Sequence, residues 1–341
     1  MNKKMIGFGD FMVRLSPPGY ERFIQTDNYE VNYTGAEANV CVALAHMGMK
    51  TDFVTRLPDN DISRAGIAEM RKHGVGTDKI VFGGDRIGVF YLEKGAAQRP
   101  SKIVYDRKYT SVAMGESACY KWDEIFADGS WFHLTGITPA LSKTIPGVCI
   151  DACRAAKEMG LTVSLDLNYR KNLWTPAEAF ETIKQILPYV DVLMANEEDA
   201  EVVLGIKADG SDVMKGILSD EGYVNVAKKI EKEYGIHTVA ISMRRSISAS
   251  DNDWGAMYYK DGEAYFSKRY IIHLVDRVGG GDSFAAGLIY GLMNEFDNQH
   301  IIEYATATSC LKQTMEMDFS LSTAAEIEKL VGGNASGRVE R

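Results

Sequence analysis

The chain is short of several residue types, and each shortage removes a class of protein. Its five cysteines, Cys41, Cys119, Cys149, Cys153 and Cys310, are odd in number and scattered. Cys149 and Cys153 stand four apart on a predicted helix, which is neither a zinc nor a thiol-redox spacing. Disulfide scaffolds and structural zinc drop out, and reduced thiols in a cytoplasm fit best. Basic residues are outnumbered: 38 Lys and Arg against 47 Asp and Glu leave a formal charge of −9. Without a basic run there is no electrostatic footprint for nucleic acid or an anionic membrane. No apolar stretch approaches the ~18 residues of a membrane span. Met1 leads straight into a strand pattern, with no secretory apolar region.

What is present is an ordinary globular mixture, 45% apolar and 25% charged over 341 residues. That length suits about two domains, or one large α/β domain with an appendage. Residues 5–8, 51–55, 130–134, 162–167, 190–195 and 237–242 read as strands. Residues 36–47, 142–159, 176–187 and 223–234 read as helices, with Ser142 as N-cap and Gly160 as stop of the second. The alternation predicts a doubly wound, mostly parallel sheet flanked by helices. Residues 11–33 and 85–113 break it, being rich in Tyr, Val, Ile, Gly and Pro without helical period. They are expected to pair into a small β lid over the carboxyl ends of the main strands, where such folds bind ligands. The core then comprises 1–10, 34–84 and 114–331, and 332–341 is a flexible tail.

The strongest local signal is Asp276-Arg277-Val278-Gly279-Gly280-Gly281-Asp282, running into a helical pattern. Three glycines leave backbone N–H groups unshielded at a helix N-terminus, which is an anion site. Asp282 falls in the first turn, where the helix dipole keeps it ionised. From there it can take a proton from an alcohol attacking a bound phosphoryl group. Taken alone, the run fits a capped helix after a tight turn equally well.

The order of several motifs resembles the ribokinase-like (PfkB) carbohydrate kinases. Asp276 to Asp282 resembles that family's Asp-x-x-Gly-x-Gly-Asp signature. Gly7-Phe8-Gly9-Asp10 is similar to its first strand ending in a sugar-binding Asp, and Gly35-Ala36-Glu37-Ala38-Asn39 to its N-terminal glycine signature. Asn196-Glu197-Glu198-Asp199 resembles its Asn-x-x-Glu element, with Asp in the fourth place. Within the family, the wording around Gly35 and the stretch Asp166-Leu167-Asn168-Tyr169-Arg170 look most like the branch that phosphorylates 2-keto-3-deoxygluconate.

The resemblance implies a division of labour. Asp282 acts as base, with Gly279, Gly280 and Gly281 as anion hole. Asp10, Gly35 and Asn39 hold sugar hydroxyls, while Tyr91, Tyr105, Arg107 and Arg170 read the acid end and Asp318 closes the pocket. Asn168, Asn196, Ser242 and Arg244 face ATP, and Asp199 holds Mg²⁺ through water. An Arg fork suits a carboxylate, which a sugar acid has and a neutral sugar lacks. The segment 241–246 stands where the family carries a Gly-containing nucleotide loop, here with two arginines and no Gly. A homodimer through the lid is implied by the same resemblance. A kinase for a neutral sugar such as fructose or ribose, and a catalytically silent sugar-binding protein of this fold, stay open.

Overall fold

The computed structural model describes residues 3–207 and 219–334. Six strands of the main sheet run parallel: β1 (Lys4–Phe8), β4 (Lys50–Val54), β9 (Trp131–Thr135), β10 (Thr162–Asp166), β11 (Val192–Asn196) and β12 (Thr238–Ser246). Antiparallel β13 (Asp251–Lys260), β14 (Glu263–Phe266) and β15 (Tyr270–His273) extend it. The order is β14-β13-β12-β11-β10-β9-β1-β4, with β15 beside β13.

Helices α1 (Ala36–His46), α2 (Asp61–Lys72), α8 (Gly280–Met293), α9 (Asn298–Lys312) and α10 (Ala324–Val331) share one core with the sheet. Helices α3 (Trp122–Phe126), α4 (Ile145–Glu158), α5 (Pro176–Ile186), α6 (Glu197–Leu204) and α7 (Asp220–Tyr234) share the other. Successive strand residues feed the two cores in turn: Met5, Trp131, Val192 and Ala240 enter the first, Ile6, Phe132, Leu193 and Val239 the second. Burial on both faces is why these strands read as continuous apolar runs. Among the described residues, no helix is long and apolar enough to cross a membrane.

The lid is a separate sheet of β2 (Met12–Ser16), β3 (Glu30–Thr34), β7 (Gly88–Glu93) and β8 (Lys102–Asp106), in the order β3-β2-β7-β8. It draws its strands from both excursions, as expected. Short strands β5 (Arg56–Leu57) and β6 (Val81–Phe82) pair apart from it. The lid takes in Thr34, while Val112 already returns to the core of the body.

Two local expectations shift. Helix α4 starts at Ile145, with Pro146 in its first turn, yet Ser142 Oγ still accepts from the N–H groups of Thr144 and Ile145 at 3.2 and 3.3 Å. The stretch 241–246 is strand rather than loop. β12 continues through Ser246 because β13 supplies an antiparallel partner as far as Asn252. Of the expected tail, residues 332–334 finish α10 with N–H bonds from Gly332, Gly333 and Asn334 to its carbonyls; 335–341 lie outside the described residues.

Candidate active site

The carboxyl end of β1, the lid, and the first turns of α1 and α8 meet around a group of charges. Asp10 lies two residues past β1 and is 2% exposed; Arg107 directly follows β8. Arg107 Nη1 stands 3.8 Å from Asp10 Oδ2. Asp10 Oδ1 accepts the Phe11 N–H at 3.0 Å, but Asp10 Oδ2 and Arg107 Nε are buried without a hydrogen-bond partner. Burial raises the Asp10 pKa and lowers that of Arg107, and each charge opposes the shift of the other. Tyr105 lies under Arg107, whose guanidinium carbon is 4.3 Å from the ring centre. Arg170 is exposed and acts electrostatically on Arg107, Asp166 and Asp282.

Helix α8 opens after Gly279, whose φ of +80° is a left-handed value that favours glycine. A Cβ there would lie 2.1 Å from the Asp318 carbonyl oxygen. The Gly280 N–H turns back to the Arg277 carbonyl at 3.3 Å. Asp282 is the third residue of the helix and accepts Asn39 Nδ2 at 2.6 Å, while Asn39 Oδ1 accepts Thr34 Oγ1 at 3.0 Å. One chain of hydrogen bonds thus runs from the lid through α1 to Asp282. Burial pushes the Asp282 carboxyl up to about 6, against the pull of Asn39, Arg170 and Lys312. It is still mostly ionised at pH 7.

On the other side, Asn196 caps α6. Its Oδ1 accepts the Asp199 N–H at 2.7 Å, and its Nδ2 donates to Asp199 Oδ2 at 3.0 Å. Asp166, at the end of β10, is pushed up to about 8, first by burial and then by Asp199 and Asp282. Asn168 has φ of +38° and donates its N–H to Asp166 Oδ1 at 3.2 Å. Ser242 lies in register with Asn196, and exposed Arg244 acts electrostatically on Arg277.

Three expected residues sit differently. Tyr91 is in register with Leu15 and Val104 and packs edge-on against Tyr29, on the outer face of the lid. Phe90, in register with Arg14 and Tyr105, takes the inward place. A one-residue offset in a strand reverses the face. Gly35 has extended backbone, and a Cβ there would lie 2.0 Å from the Asp10 carbonyl oxygen, so this glycine seats Asp10 against α1. Asp318 pairs with Arg14 through Oδ1 and leaves Oδ2 buried without a partner.

Two residues escaped the sequence reading. Glu37 Oε1 accepts the Thr135 N–H at 2.9 Å and the Thr135 and Thr138 hydroxyls at 2.8 Å each, and burial pushes its carboxyl up to about 7. Its signal was a lone carboxylate in a mostly apolar helix. The second is Arg14, at 0% exposure, a charge at an inward position of β2.

A β lid above a doubly wound sheet, facing a helix that opens on glycine, places the chain among the small-molecule kinases of α/β type. Residues 2–316 match the family described as pfkB family carbohydrate kinase, and the chain belongs to it. It is 31% identical over 339 residues to a 2-dehydro-3-deoxygalactonokinase of Haloferax volcanii, covering 99% of each chain. It is 24% identical over 316 residues to a 2-dehydro-3-deoxygluconokinase of Bacillus subtilis, covering 92% of this chain and 90% of that one. The crystal structure of 2-dehydro-3-deoxygluconokinase from Thermotoga maritima is similar at a TM-score of 0.94 and 48% identity, over 98% of this chain and 99% of that one.

Proposed function

We propose that this carbohydrate kinase transfers the γ-phosphoryl group of ATP to the terminal hydroxyl of 2-keto-3-deoxygluconate. The observation that carries the reading is the Asp10–Arg107 pair, whose inner atoms Asp10 Oδ2 and Arg107 Nε are buried and unpartnered. Buried polar atoms left unpaired cost stability unless a ligand meets them. Asp10 suits a sugar hydroxyl as acceptor, and Arg107 with Arg170 suits a carboxylate. The names of the relatives from Bacillus subtilis and Thermotoga maritima support the same substrate.

Asp282 takes the proton of the attacking hydroxyl, held in place by Asn39. The N–H groups of Gly279 and Gly281, together with the dipole of α8, meet charge on the transferring group, while that of Gly280, expected to join them, is given to the Arg277 carbonyl. Apart from its chain neighbours and the backbone of its own helix, no described atom stands within 4 Å of where a Cβ at Gly281 would project, which supports room there for a phosphoryl group. Asn196 and Asp199 suit a Mg²⁺ held through water, because they set amide and carboxylate oxygens, the hard donors this ion prefers, side by side at the start of α6. That ion would neutralise phosphate charge. Asn168, Ser242 and Arg244 stand on the nucleotide side. Tyr105 and Arg107 cover the acceptor from the lid edge and exclude water, which would otherwise compete. On the outer face of the lid, Val31 is 60% and Val104 is 54% exposed, which supports a homodimer formed there.

The test is ADP release with Mg-ATP on 2-keto-3-deoxygluconate, its galacto epimer, fructose and ribose. Turnover confined to the keto-deoxy acids is expected. Turnover on a neutral sugar alone would discard the carboxylate role of Arg107 and Arg170, and sugar binding without turnover would leave a silent binding protein.

A further inference from the structure

Arg14 is wholly buried, yet it belongs to the lid. Its Nη2 donates to Asp276 Oδ2 at 2.7 Å, its Nη1 to Asp318 Oδ1, and its Nε to Ser16 Oγ at 2.8 Å. Both carboxylates frame the glycine loop. Asp276 Oδ1 accepts the Val278 N–H at 3.0 Å, and the Asp276 carbonyl accepts Lys312 Nζ at 3.1 Å. The Asp318 carbonyl occupies the space that a Cβ on Gly279 would need. Val278 packs under Met12, Phe90 and Leu92 of the lid. A buried charge cluster is weak evidence for stability, because apolar packing of equal volume holds a fold as well. What a guanidinium adds is direction, through a rigid planar set of donors. Edge strand β8 of the lid is unlike this: all five of its residues are exposed.

We propose that Arg14 is a positioning residue for phosphoryl transfer. It clamps Asp276 and Asp318 so that the Gly279–Asp282 turn is fixed against β2, a strand paired on both sides within the lid. This rests on reading the glycine turn and Asp282 as the transfer centre.

Two variants test it with Mg-ATP and the best acceptor. Arg14→Lys keeps the charge and loses the fork. Arg14→Met with Asp318→Asn removes opposite charges together, and so keeps the test available if the first variant fails to fold. The expected loss in kcat is about tenfold for the first and on the order of 10²-fold for the second, with acceptor KM within about twofold. The acid limb of the kcat–pH profile gives a readout that a merely structural role would not move. Asp282 is faced by Asn39 and Arg170, by Lys312 and Asp318, and by Asp166. With the fork lost, Asp318 is less compensated and the limb moves to higher pH; with Asp318 neutralised it moves to lower pH. Parental kcat and limb in either variant would overturn the proposal, as would a rise in KM alone. Asp282→Asn measured alongside separates the two readings. Its full activity removes the transfer centre, whereas its loss beside a parental Arg14→Lys removes only the clamp.

Discussion

Both ends of the main sheet carry clustered charge, and they treat it oppositely. At the amino end, Lys4 Nζ meets Asp52 at 3.0 Å and Asp128 at 2.5 Å, while Lys79 Nζ meets the same two carboxylates at 2.8 and 2.6 Å. Each charge there has a partner within the chain. At the carboxyl end, Asp10 and Arg107 face each other at 3.8 Å but leave Asp10 Oδ2 and Arg107 Nε without a hydrogen bond, and burial shifts Asp282 up to about 6 and Asp166 up to about 8. Charge that serves only the fold is paired by the fold. Where polar atoms stay buried and half-paired, the missing partner is something the chain does not contain.

Substitution at the carboxyl end should therefore strike turnover, and at the amino end only stability. The largest effect is expected from Asp282→Asn, with kcat down on the order of 10³-fold and acceptor KM nearly unchanged. The parent's kcat should fall as the pH drops through about 6, since Asp282 works ionised. A limb near 4, the ordinary carboxylate value, would mean that the site is more open than described. Next, Arg107→Ala should lower kcat/KM for the acid substrate roughly 10²-fold. It removes the fork and also strips Asp10 of its counter-charge, so a neutral sugar would be affected too; Arg170→Ala leaves the Asp10–Arg107 pair intact and, measured well above pH 6 because Arg170 also holds the Asp282 carboxyl down, makes the cleaner comparison.

The smallest effect belongs to Asp128→Asn, with kcat unchanged and a stability loss of at most about 1 kcal/mol, because this carboxylate is half exposed. Hydrogen bonds from Lys4 and Lys79 hold its carboxyl down to about 2. That stabilisation is present above about 4, the ordinary carboxylate value, and is lost as the pH falls through about 2. Parent and variant melting curves should therefore converge in strong acid. Divergence there, or a loss of turnover at any pH, would break the contrast between the two ends.

Much of this was legible in linear order. The alternation of strand and helix, the two β excursions and the glycine run before Asp282 are local patterns, and local patterns survive without coordinates. Tyr91 shows the limit of that reading. A tyrosine beside a phenylalanine in a strand faces inward or outward according to register, and the pairing of Tyr91 with Val104 turns it out. Ser242–Ser246 shows another, since a polar stretch after a strand is a loop until an antiparallel neighbour makes it a hairpin arm. Arg14 and Glu37 were visible as charges at apolar positions, but their partners lie 304 and 98 residues away.

By itself, then, the sequence determined the fold class, the kinase family and the aspartate at the glycine-opened helix, because each is carried by short local patterns and their order along the chain. The tertiary structure alone decided which lid side chains look inward, that Glu37 braces Thr135 and Thr138, and that a lid arginine holds the glycine turn. Those depend on register and on desolvation, and both arise only when distant segments meet.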